Sequence, residues 1–365
     1  MSAAETVAKL RLIRSENIGP VTYRQLLMRF GTAVAAVDAL PDLARRGGRN
    51  LRIATSAEAE DEIAAVNGFG GQLLFIGSDF YPHLLARSEA APPVLAVKGD
   101  LALLERPAVA IVGARNASGA GTRFARELAA GLGAAELVVV SGLARGIDTA
   151  AHWGALEGGT IGVIAGGLDV AYPPEAADLQ AQIGERGLIV AEQTFGTQPQ
   201  ARHFPRRNRI IAALAAGTVV VEGALKSGSL ITARIAAEAG REVMAVPGSP
   251  LDPRAQGCNQ LIREGATLIQ NAADVLEALG SFTAGVGGRF AAPAAHYDAA
   301  PLALEADESA HATVSALLSP TPCPVDELVR LSGLPSAIVA TVLLDLELGG
   351  QIVRHAGGRV ARILS

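Results

Sequence analysis

A short basic segment, residues 201–214 (ARHFPRRNRIIAAL), offers the clearest chemistry in the chain. Phe204 and Asn208 lie among its arginines, and an apolar, helix-like run follows. Guanidinium groups match phosphate oxygens, a ring can stack on a base, and a helix start offers free N–H donors. The segment therefore favours a bound polyanion, whereas the alternative is a solvated loop in which Phe204 is a packing residue. It has no acidic residue and four arginines: Arg202, Arg206, Arg207 and Arg209.

The chain as a whole is slightly acidic, with 31 Lys and Arg against 36 Asp and Glu and a formal charge of −5. Any anion site must therefore be local. Two cysteines, Cys258 and Cys323, are too few for a disulfide framework or a cysteine-based zinc site, and they suit a reducing cytoplasm. We expect no signal peptide and no membrane span, because the longest apolar run, residues 210–221, is shorter than the roughly 18–20 residues that a span needs.

Residues 113–121 (GARNASGAG) form a glycine-rich turn after a short apolar run. Glycines such as Gly113 let the backbone approach a ligand closely, and Arg115 follows at the tip of the predicted strand. The glycines are not spaced as G-x-G-x-x-G, and the next predicted strand ends without an acidic residue for a ribose. We therefore expect no nicotinamide or flavin cofactor. The alternative role for these glycines is tight strand-to-helix packing without a ligand.

Two further turns repeat this composition. Residues 141–148 (SGLARGID) combine small residues with an arginine, and Asp148 is the predicted N-cap of the next helix. Residues 222–232 (EGALKSGSLIT) place hydroxyls and amides at another helix start, without the order of residues that a P-loop requires. The candidate anion contacts in the two turns are Ser141, Gly142, Arg145, Ser227, Gly228 and Ser229.

The sequence contains few candidate residues for acid–base catalysis. Asp148 and His152 stand one helical turn apart, but two groups are too few for a metal site, so we expect a cap and a structural histidine and no metal. No G-x-S-x-G, H-E-x-x-H or Cys-His arrangement is present. Glu192 and Glu222 are predicted to end adjacent strands, where we expect them to accept hydrogen bonds from arginines and amides. The pattern predicts a groove that binds a ligand without cutting it, and not an enzyme.

Regular alternation of strands and helices across residues 108–280 predicts the scaffold for these turns. The strands are short β-branched runs, as in parallel sheets covered on both faces, which indicates a doubly wound α/β domain with ligands at the carboxyl ends of its strands. The predicted strands are 109–112, 137–140, 160–164, 188–191, 218–221 and 242–246, preceded by 72–76 and 94–97. The predicted helices are 121–132, 148–156, 175–185, 208–215 and 230–239.

Two smaller modules flank the predicted 67–280 domain. Residues 1–66 read as helices around a Gly19-Pro20 turn, like helix-hairpin-helix or sterile-alpha-motif (SAM-like) modules; their near-balanced charge favours a structural or protein-contacting role over DNA binding. Residues 281–307 lose periodicity and predict a flexible linker. Residues 308–365 read as three helices and a hairpin, a winged helix. Its recognition helix carries Asp345 and Glu347 and no basic residue, which favours a protein contact over duplex binding.

Six segments in serial order resemble the motifs of the DNA-processing protein A (DprA/Smf) family. They are VAIVGARNAS from Val109, VSGLARGIDTAAH from Val140, GGLDVAYPPE, FPRRNRIIAAL, SGSLITARIAAEAGREVMAVPG and GCNQLIREGA. The resemblance runs through the whole central domain, and the flanking modules suit the longer members of the family.

The resemblance implies an extended Rossmann-like domain that binds single-stranded DNA, usually as a dimer. It also implies transfer of that DNA to the recombinase RecA and protection of incoming strands in natural transformation. By motif, Arg115 and the cluster 206–209 contact phosphates, and Phe204 and Asn208 touch bases or sugar. The turns at 141–142 and 227–229 then line the groove.

Two other functions stay open at this stage. Related Rossmann-like phosphoribohydrolases cleave nucleoside monophosphates with a PGGxGTxxE signature. The corresponding turn here, EGALKSGSLIT, lacks the glycine pair and the second glutamate at that spacing. The third hypothesis is a scaffold whose small modules recruit proteins while the centre binds nothing.

Overall fold

The fold is taken from a computed structural model of the chain, which describes residues 2–46, 51–280, 306–355 and 357–363. These residues divide into two compact units. Residues 2–61 group with 306–363, and residues 62–280 form the second unit. The predicted linker 281–307 lies outside the described residues except at its end, where Asp307 caps the next helix by accepting a hydrogen bond from the Ala310 N–H.

The first unit begins with helices whose ends follow local rules. Ser2 caps the first helix, Pro20 opens the second, and Gly31, with a φ of 76°, ends it, as expected from the conformational preferences of these residues. The helices are α1 (Ala3–Arg14), α2 (Pro20–Phe30), α3 (Ala33–Arg46) and α4 (Ser56–Gly68), the last of which continues into the second unit.

A winged helix completes the first unit, as predicted. Its core is formed by apolar side chains of the three helices and the sheet, among them Val314, Leu328, Val342 and Val360. The elements are α13 (Glu308–Leu317), β10 (Cys323–Pro324), α14 (Val325–Ser332), α15 (Ser336–Leu348), β11 (Ile352–His355) and β12 (Arg359–Arg362). The strands form an antiparallel sheet in the order β10-β12-β11.

The second unit is a mixed sheet covered by helices on both faces. Its strands are β1 (Gln72–Phe75), β2 (Val94–Gly99), β3 (Ala108–Gly113), β4 (Val138–Ser141), β5 (Thr160–Ile164), β6 (Leu188–Ala191), β7 (Gly217–Val221), β8 (Glu242–Ala245) and β9 (Thr267–Leu268). Its helices are α5 (His83–Ala86), α6 (Gly119–Ala134), α7 (Ile147–Ala155), α8 (Ala177–Arg186), α9 (His203–Leu214), α10 (Gly228–Glu238), α11 (Gln256–Arg263) and α12 (Ala272–Ala278).

The strand order β1-β2-β6-β5-β4-β3-β7-β8-β9 confirms the predicted doubly wound, Rossmann-like fold. Strands β3 to β9 pair in parallel. At one end of the sheet β2 pairs antiparallel with β6, and β1 pairs antiparallel with β2. The chain reverses its direction of winding between β4, on one side of β3, and β7, on the other. Ligands of such sheets bind near this switch point, outside the carboxyl ends of the strands.

Alternate residues of the central strands point to opposite faces of the sheet. Val109 and Ile111 pack against α6, α7 and α12, whereas Ala110 and Val112 belong to the core under α9, α10 and α11. Because both faces are covered, the burial of β3 is continuous apart from its last residue. This explains why the strands read as unbroken apolar runs.

Helix α9 starts earlier than the sequence predicts. The prediction placed its start at Asn208, but the helix begins at His203 and includes Pro205 in its first turn. The first four N–H groups of a helix have no intrahelical acceptor, so proline costs little there. The basic segment from His203 onward, including Arg206, Arg207 and Arg209, is therefore part of the helix, with Arg202 at its N-cap.

Within the described residues, no single helix has the length and hydropathy needed to cross a membrane. Helices α14 and α15 reach both only in combination, and they meet at a bend of 118°. The two cysteines are unpaired.

We predict that Gly113→Ala lowers the free energy of unfolding by about 1–3 kcal/mol or more, because overpacking forces the backbone to shift. A Cβ at Gly113 would lie 1.9 Å from the Val221 carbonyl oxygen, across the β3–β7 pairing. Urea unfolding, followed through the single tryptophan Trp153, measures the change. The matched control is Gly119→Ala, where a Cβ meets nothing within 4 Å, and equal midpoints for the two variants would contradict the prediction.

Candidate nucleic-acid interface

A cleft of about 250 Å³ opens at the carboxyl edge of the sheet. The turns after β3 and β4, the loop after β5 and the start of α9 form its walls. Arg115 and Arg207, which are 92 residues apart in the sequence, both line this cleft, at the carboxyl edge where the fold is expected to bind ligands. The lining residues, here called the Arg115 cleft, are Arg115, Gly142, Leu143, Ala144, Arg145, Tyr172, Pro173, Pro174, Glu175, Phe204 and Arg207.

Two aromatic rings and a guanidinium stand together in the Arg115 cleft. The ring centroids of Tyr172 and Phe204 lie 5.5 Å apart at an interplanar angle of 53°. The exposed Arg115 places its Cζ 5.4 Å from the Phe204 centroid, within the range of a cation–π contact. Tyr172 is 47% exposed and Phe204 is half-buried. This arrangement places a ring face beside a positive charge. A ring can stack on the base of a nucleotide, and a cation can contact its phosphate.

Arg207 forms the floor of the cleft and is buried, with 6% of its surface exposed. Its guanidinium donates hydrogen bonds to the carbonyl oxygens of Gly142 and Val163, at the ends of β4 and β5. A Cβ on Gly142 would lie 2.6 Å from that guanidinium, so glycine is required for this packing. Arg207 is therefore a structural cation that ties α9 to the sheet.

Buried polar groups surround Arg207. Burial lowers the pKa of Arg207 to about 10, although the nearby Asp148 carboxylate opposes the shift, and the side chain stays charged near neutral pH. Burial also raises the pKa of Asp148, against the effect of Arg207 and of backbone donors. The pKa of His152 falls to about 3 because of burial and then of Arg207, so its ring is neutral when it contacts the Thr160 hydroxyl at 2.7 Å.

The predicted N-cap role of Asp148 is wrong. Helix α7 begins at Ile147 and its N-cap is Gly146. The Asp148 carboxylate instead accepts a hydrogen bond of 3.1 Å from the Gly142 N–H. His152 is a buried structural residue, as expected, and no group of three potential metal ligands occurs in the part of the chain that the structure describes.

Several predicted DNA contacts have internal partners instead. The Ser141 hydroxyl is buried and donates to the Ile111 carbonyl at 2.6 Å. Gly142 lines the cleft, but its N–H and carbonyl are used by Asp148 and Arg207. Gly113 faces the Val221 carbonyl rather than open space. For these residues the packing interpretation of the glycine-rich turns is the better one.

The arginines of the basic segment divide by exposure. Arg206 is exposed on α9, while Arg209 donates to the Glu192 carboxylate and the Ala90 carbonyl. Arg209 is thus partly neutralised, with 17% of its side chain exposed. Arg145, in the turn before α7, is exposed and lines the cleft.

The predicted turn at 227–229 lies at the start of α10, outside the lining of the Arg115 cleft. Ser227 is the N-cap, but its hydroxyl makes no capping bond and instead contacts the Ser229 hydroxyl at 2.8 Å. Asn208 links α9 to this turn, because its Nδ2 donates to the Gly228 carbonyl at 3.3 Å. Space around Gly228 is open. The first turn of α10 therefore offers backbone donors beside the basic helix.

The N-terminus of α6, at the switch point, is already filled by a carboxylate of the protein. Glu222, just after β7, accepts hydrogen bonds from the N–H and the hydroxyl of Ser118. A Cβ on Gly121 would lie 2.6 Å from this carboxyl group. The position where such folds hold a nucleotide phosphate is thus occupied by a side chain. This geometry disfavours a nucleotide-dependent enzyme at the switch point.

The two strand-end glutamates accept hydrogen bonds from Arg209 and from Ser118, as expected. The prediction that they end adjacent strands is wrong, since β5, β4 and β3 separate β6 from β7. Glu192 and Glu222 therefore do not form a carboxylate pair. Strands that follow one another along the chain need not be neighbours in a doubly wound sheet.

Sequence reasoning missed Tyr172. The residue lies within one of the six motifs, GGLDVAYPPE, but it is not among the predicted contacts. Its position opposite Phe204 depends on the loop after β5 meeting α9, 32 residues later in the chain. The signal in the sequence was an aromatic residue beside two prolines in the segment that follows a predicted strand, because loops after strands often carry function.

Fold and cleft together define a Rossmann-like protein with an arginine-lined cleft and two small flanking modules. Three family models match the chain: DNA recombination-mediator protein A over residues 72–280, the DprA-like N-terminal HHH domain over 3–65 and the DprA winged helix domain over 298–358. The chain belongs to the DNA recombination-mediator protein A (DprA/Smf) family. The N-terminal module is accordingly of the helix-hairpin-helix type.

Curated relatives agree with this assignment. The DNA processing protein DprA of Streptococcus pneumoniae is 50% identical over 54% of this chain and 71% of its own. Protein Smf of Escherichia coli is 39% identical over 78% of this chain and 75% of its own.

Two solved structures share the fold. The S. pneumoniae DNA processing protein A matches with a TM-score of 0.63 and 39% identity, covering 76% of this chain and 98% of that one. The Helicobacter pylori protein, whose single-stranded DNA binding mode has been described, matches with a TM-score of 0.53 and 29% identity, covering 58% and 97%.

We predict that Arg207→Ala lowers the free energy of unfolding by about 3–5 kcal/mol, because it leaves the buried Gly142 and Val163 carbonyl oxygens without their donor and removes the cation near Asp148. The neighbouring Arg206→Ala should stay within about 0.5 kcal/mol of the parent chain, since its side chain is exposed. Urea midpoints of the two variants measure the difference. Equal stability of the two would show that Arg207 is not the structural cation described above.

Proposed function

We propose that this protein binds single-stranded DNA without sequence preference, through the Arg115 cleft. The observation that carries the proposal is the contact of Arg115, Phe204 and Tyr172, in which a cation and two ring faces share one open cleft. Stacking accepts any base because every base has a π-face, and a guanidinium contacts phosphate irrespective of sequence. The single-stranded DNA binding of the H. pylori relative supports the same ligand class.

Division of labour among the arginines follows from their burial. Arg115, Arg145 and Arg206 are exposed and supply the phosphate contacts. Arg207 and Arg209, which have internal acceptors, position α9 and add positive potential to the cleft. The open α10 turn at 227–229 extends the path for the sugar-phosphate chain. Duplex DNA, whose bases are already stacked and paired, fits the tilted Tyr172–Phe204 pair less well.

The wider role we propose is that of a recombination mediator. The protein protects bound single strands and loads the recombinase RecA onto them, in natural transformation or other DNA recombination, and it acts as a homodimer through the Rossmann-like domain. The family assignment supports this role. We further propose that the protein is not an enzyme, in line with the carboxylate-filled α6 N-terminus and the separation of Glu192 from Glu222.

For the first test of the cleft we predict that Arg115→Ala weakens binding to labelled oligonucleotides of any sequence. It should also reduce the steepness of the salt dependence by about 0.7 in the slope of log K against log[salt], the value for one lost phosphate contact on a single strand. Fluorescence anisotropy at several salt concentrations measures both.

Arg186→Ala is the matched control, because Arg186 is an exposed arginine at the opposite, amino-terminal edge of the sheet, paired with Glu157. Its affinity and salt slope should equal those of the parent chain. Equal losses in the two variants would indicate a diffuse charge effect and contradict a site at Arg115.

For the aromatic pair we predict that Phe204→Ala and Tyr172→Ala each cost about 1–3 kcal/mol of binding free energy, the value of one base–aromatic stack. Phe204→Tyr and Tyr172→Phe keep a ring face and should retain affinity. The salt slope should not change in any of the four variants, since no phosphate contact is lost. Unaltered affinity in both alanine variants would refute stacking at this pair.

Incubation with nucleoside monophosphates tests the enzymatic alternative. We expect no release of free base from the parent chain. Base release at a rate proportional to protein concentration would overturn the non-enzymatic assignment, and failure to bind single-stranded DNA resin at moderate salt would favour a scaffold instead.

A further inference from the structure

The winged helix carries its recognition helix in an unusual environment. Helix α15 is apolar nearly all round, with the sequence SAIVATVLLDLEL, and it is buried on more than one face. Val339, Val342 and Leu343 belong to the core of the winged helix itself. Leu344 and Leu348 are also buried, at 3% and 1% exposure, although they are not part of that core. A helix that is apolar all round needs a second partner.

The second partner of α15 lies in the same unit of this chain. Helix α15 contacts α2 and α3 of the N-terminal module. Asn17, in the turn between α1 and α2, donates from its Nδ2 to the Leu348 carbonyl at 3.3 Å. This bond satisfies one of the free carbonyls at the C-terminus of α15. The turn of the helix-hairpin-helix module is thus joined to the end of the recognition helix.

Charged residues of the winged helix are also directed to the N-terminal module. Asp345 on α15 is 2% exposed and lies 4.0 Å from the Arg29 guanidinium of α2 and 3.1 Å from the His311 ring. Glu347 pairs with Arg354 at 2.9 Å, and Arg354 reaches the Gln25 side chain of α2 at 3.3 Å. A carboxylate buried as deeply as Asp345 needs such a cation.

From these contacts we infer that the winged helix is a docking module for this chain's own N-terminal module. Each module contacts the element with which the other module's fold class approaches DNA. The N-terminal module contacts the recognition helix α15, and the end of α15 contacts the turn of the helix-hairpin-helix module. Asp345 and Glu347, the acidic residues that make α15 a poor groove reader, contact His311 and Arg354 of the winged helix itself. They reach α2 through the 4.0 Å pair of Asp345 with Arg29 and through the bond of Arg354 to Gln25. Neither module reads duplex DNA in this state, which leaves nucleic acid to the central domain.

Amide hydrogen exchange of the full-length protein tests the inference. Peptides covering residues 15–19 and α15 should be protected in the parent chain, and Arg29→Glu should speed their exchange by at least about tenfold, since it places like charges together in a buried site. Peptides from α6 serve as the internal reference for an intact central domain. Adding Asp345→Asn to Arg29→Glu should restore part of the protection, because it removes the repulsion.

The control is Arg45→Gln, which removes an exposed ion pair with Asp42 on α3 and should leave the exchange unchanged. Rapid exchange at residues 15–19 and α15 in the parent chain would overturn the inference. So would protection that appears only as protein concentration rises, which would assign the contact to two copies. A change of exchange at either segment on addition of a blunt duplex would show that the modules do read duplex DNA.

Discussion

A single buried guanidinium holds the carboxyl edge of the sheet and the start of α9 together. Arg207 donates to the carbonyl oxygens of Gly142 and Val163, at the ends of two neighbouring strands, and its charge is opposed by Asp148. Because these acceptors are fixed by the sheet, the first turn of α9 is fixed as well. The position of Phe204, three residues earlier on the same helix, follows from this constraint.

The cleft above Arg207 has a buried floor and an exposed rim. Buried groups of the floor have partners within the protein: Ser141 and Asp148 bond to the backbone, and His152 contacts the Thr160 hydroxyl. Groups of the rim, Arg115 and Tyr172 among them, are exposed to solvent. A rim of this kind placed on a rigid floor loses little conformational entropy on binding.

Two positive helix ends of the same sheet differ in their availability. The start of α6 is filled by Glu222, whereas the start of α10 has a cap residue without a capping bond and open space at Gly228. The nucleotide site typical of this fold class is therefore closed, and the open donors lie beside the basic helix. This shift suits an extended polyanion that crosses several turns better than a compact nucleotide held at one turn.

The sequence by itself determined the doubly wound topology, most strands and helices of the central domain and the set of candidate turns, because β-branched runs, helix caps and glycine-rich turns are signals local to a few residues. It also placed Arg115 and Phe204 among the candidates. It did not predict the short elements β9, α11 and α12, and it placed the start of α9 too late. Tertiary structure alone decided that Arg207 is buried in the floor of the cleft while Arg115 is exposed at its rim, and that Tyr172 faces Phe204. It also decided that the Glu222 carboxylate occupies the start of α6 and that α15 packs against α2. Each of these depends on which distant segments of the chain come into contact. Burial arises only from those contacts, and burial decides whether a charged side chain is structural or available to a ligand.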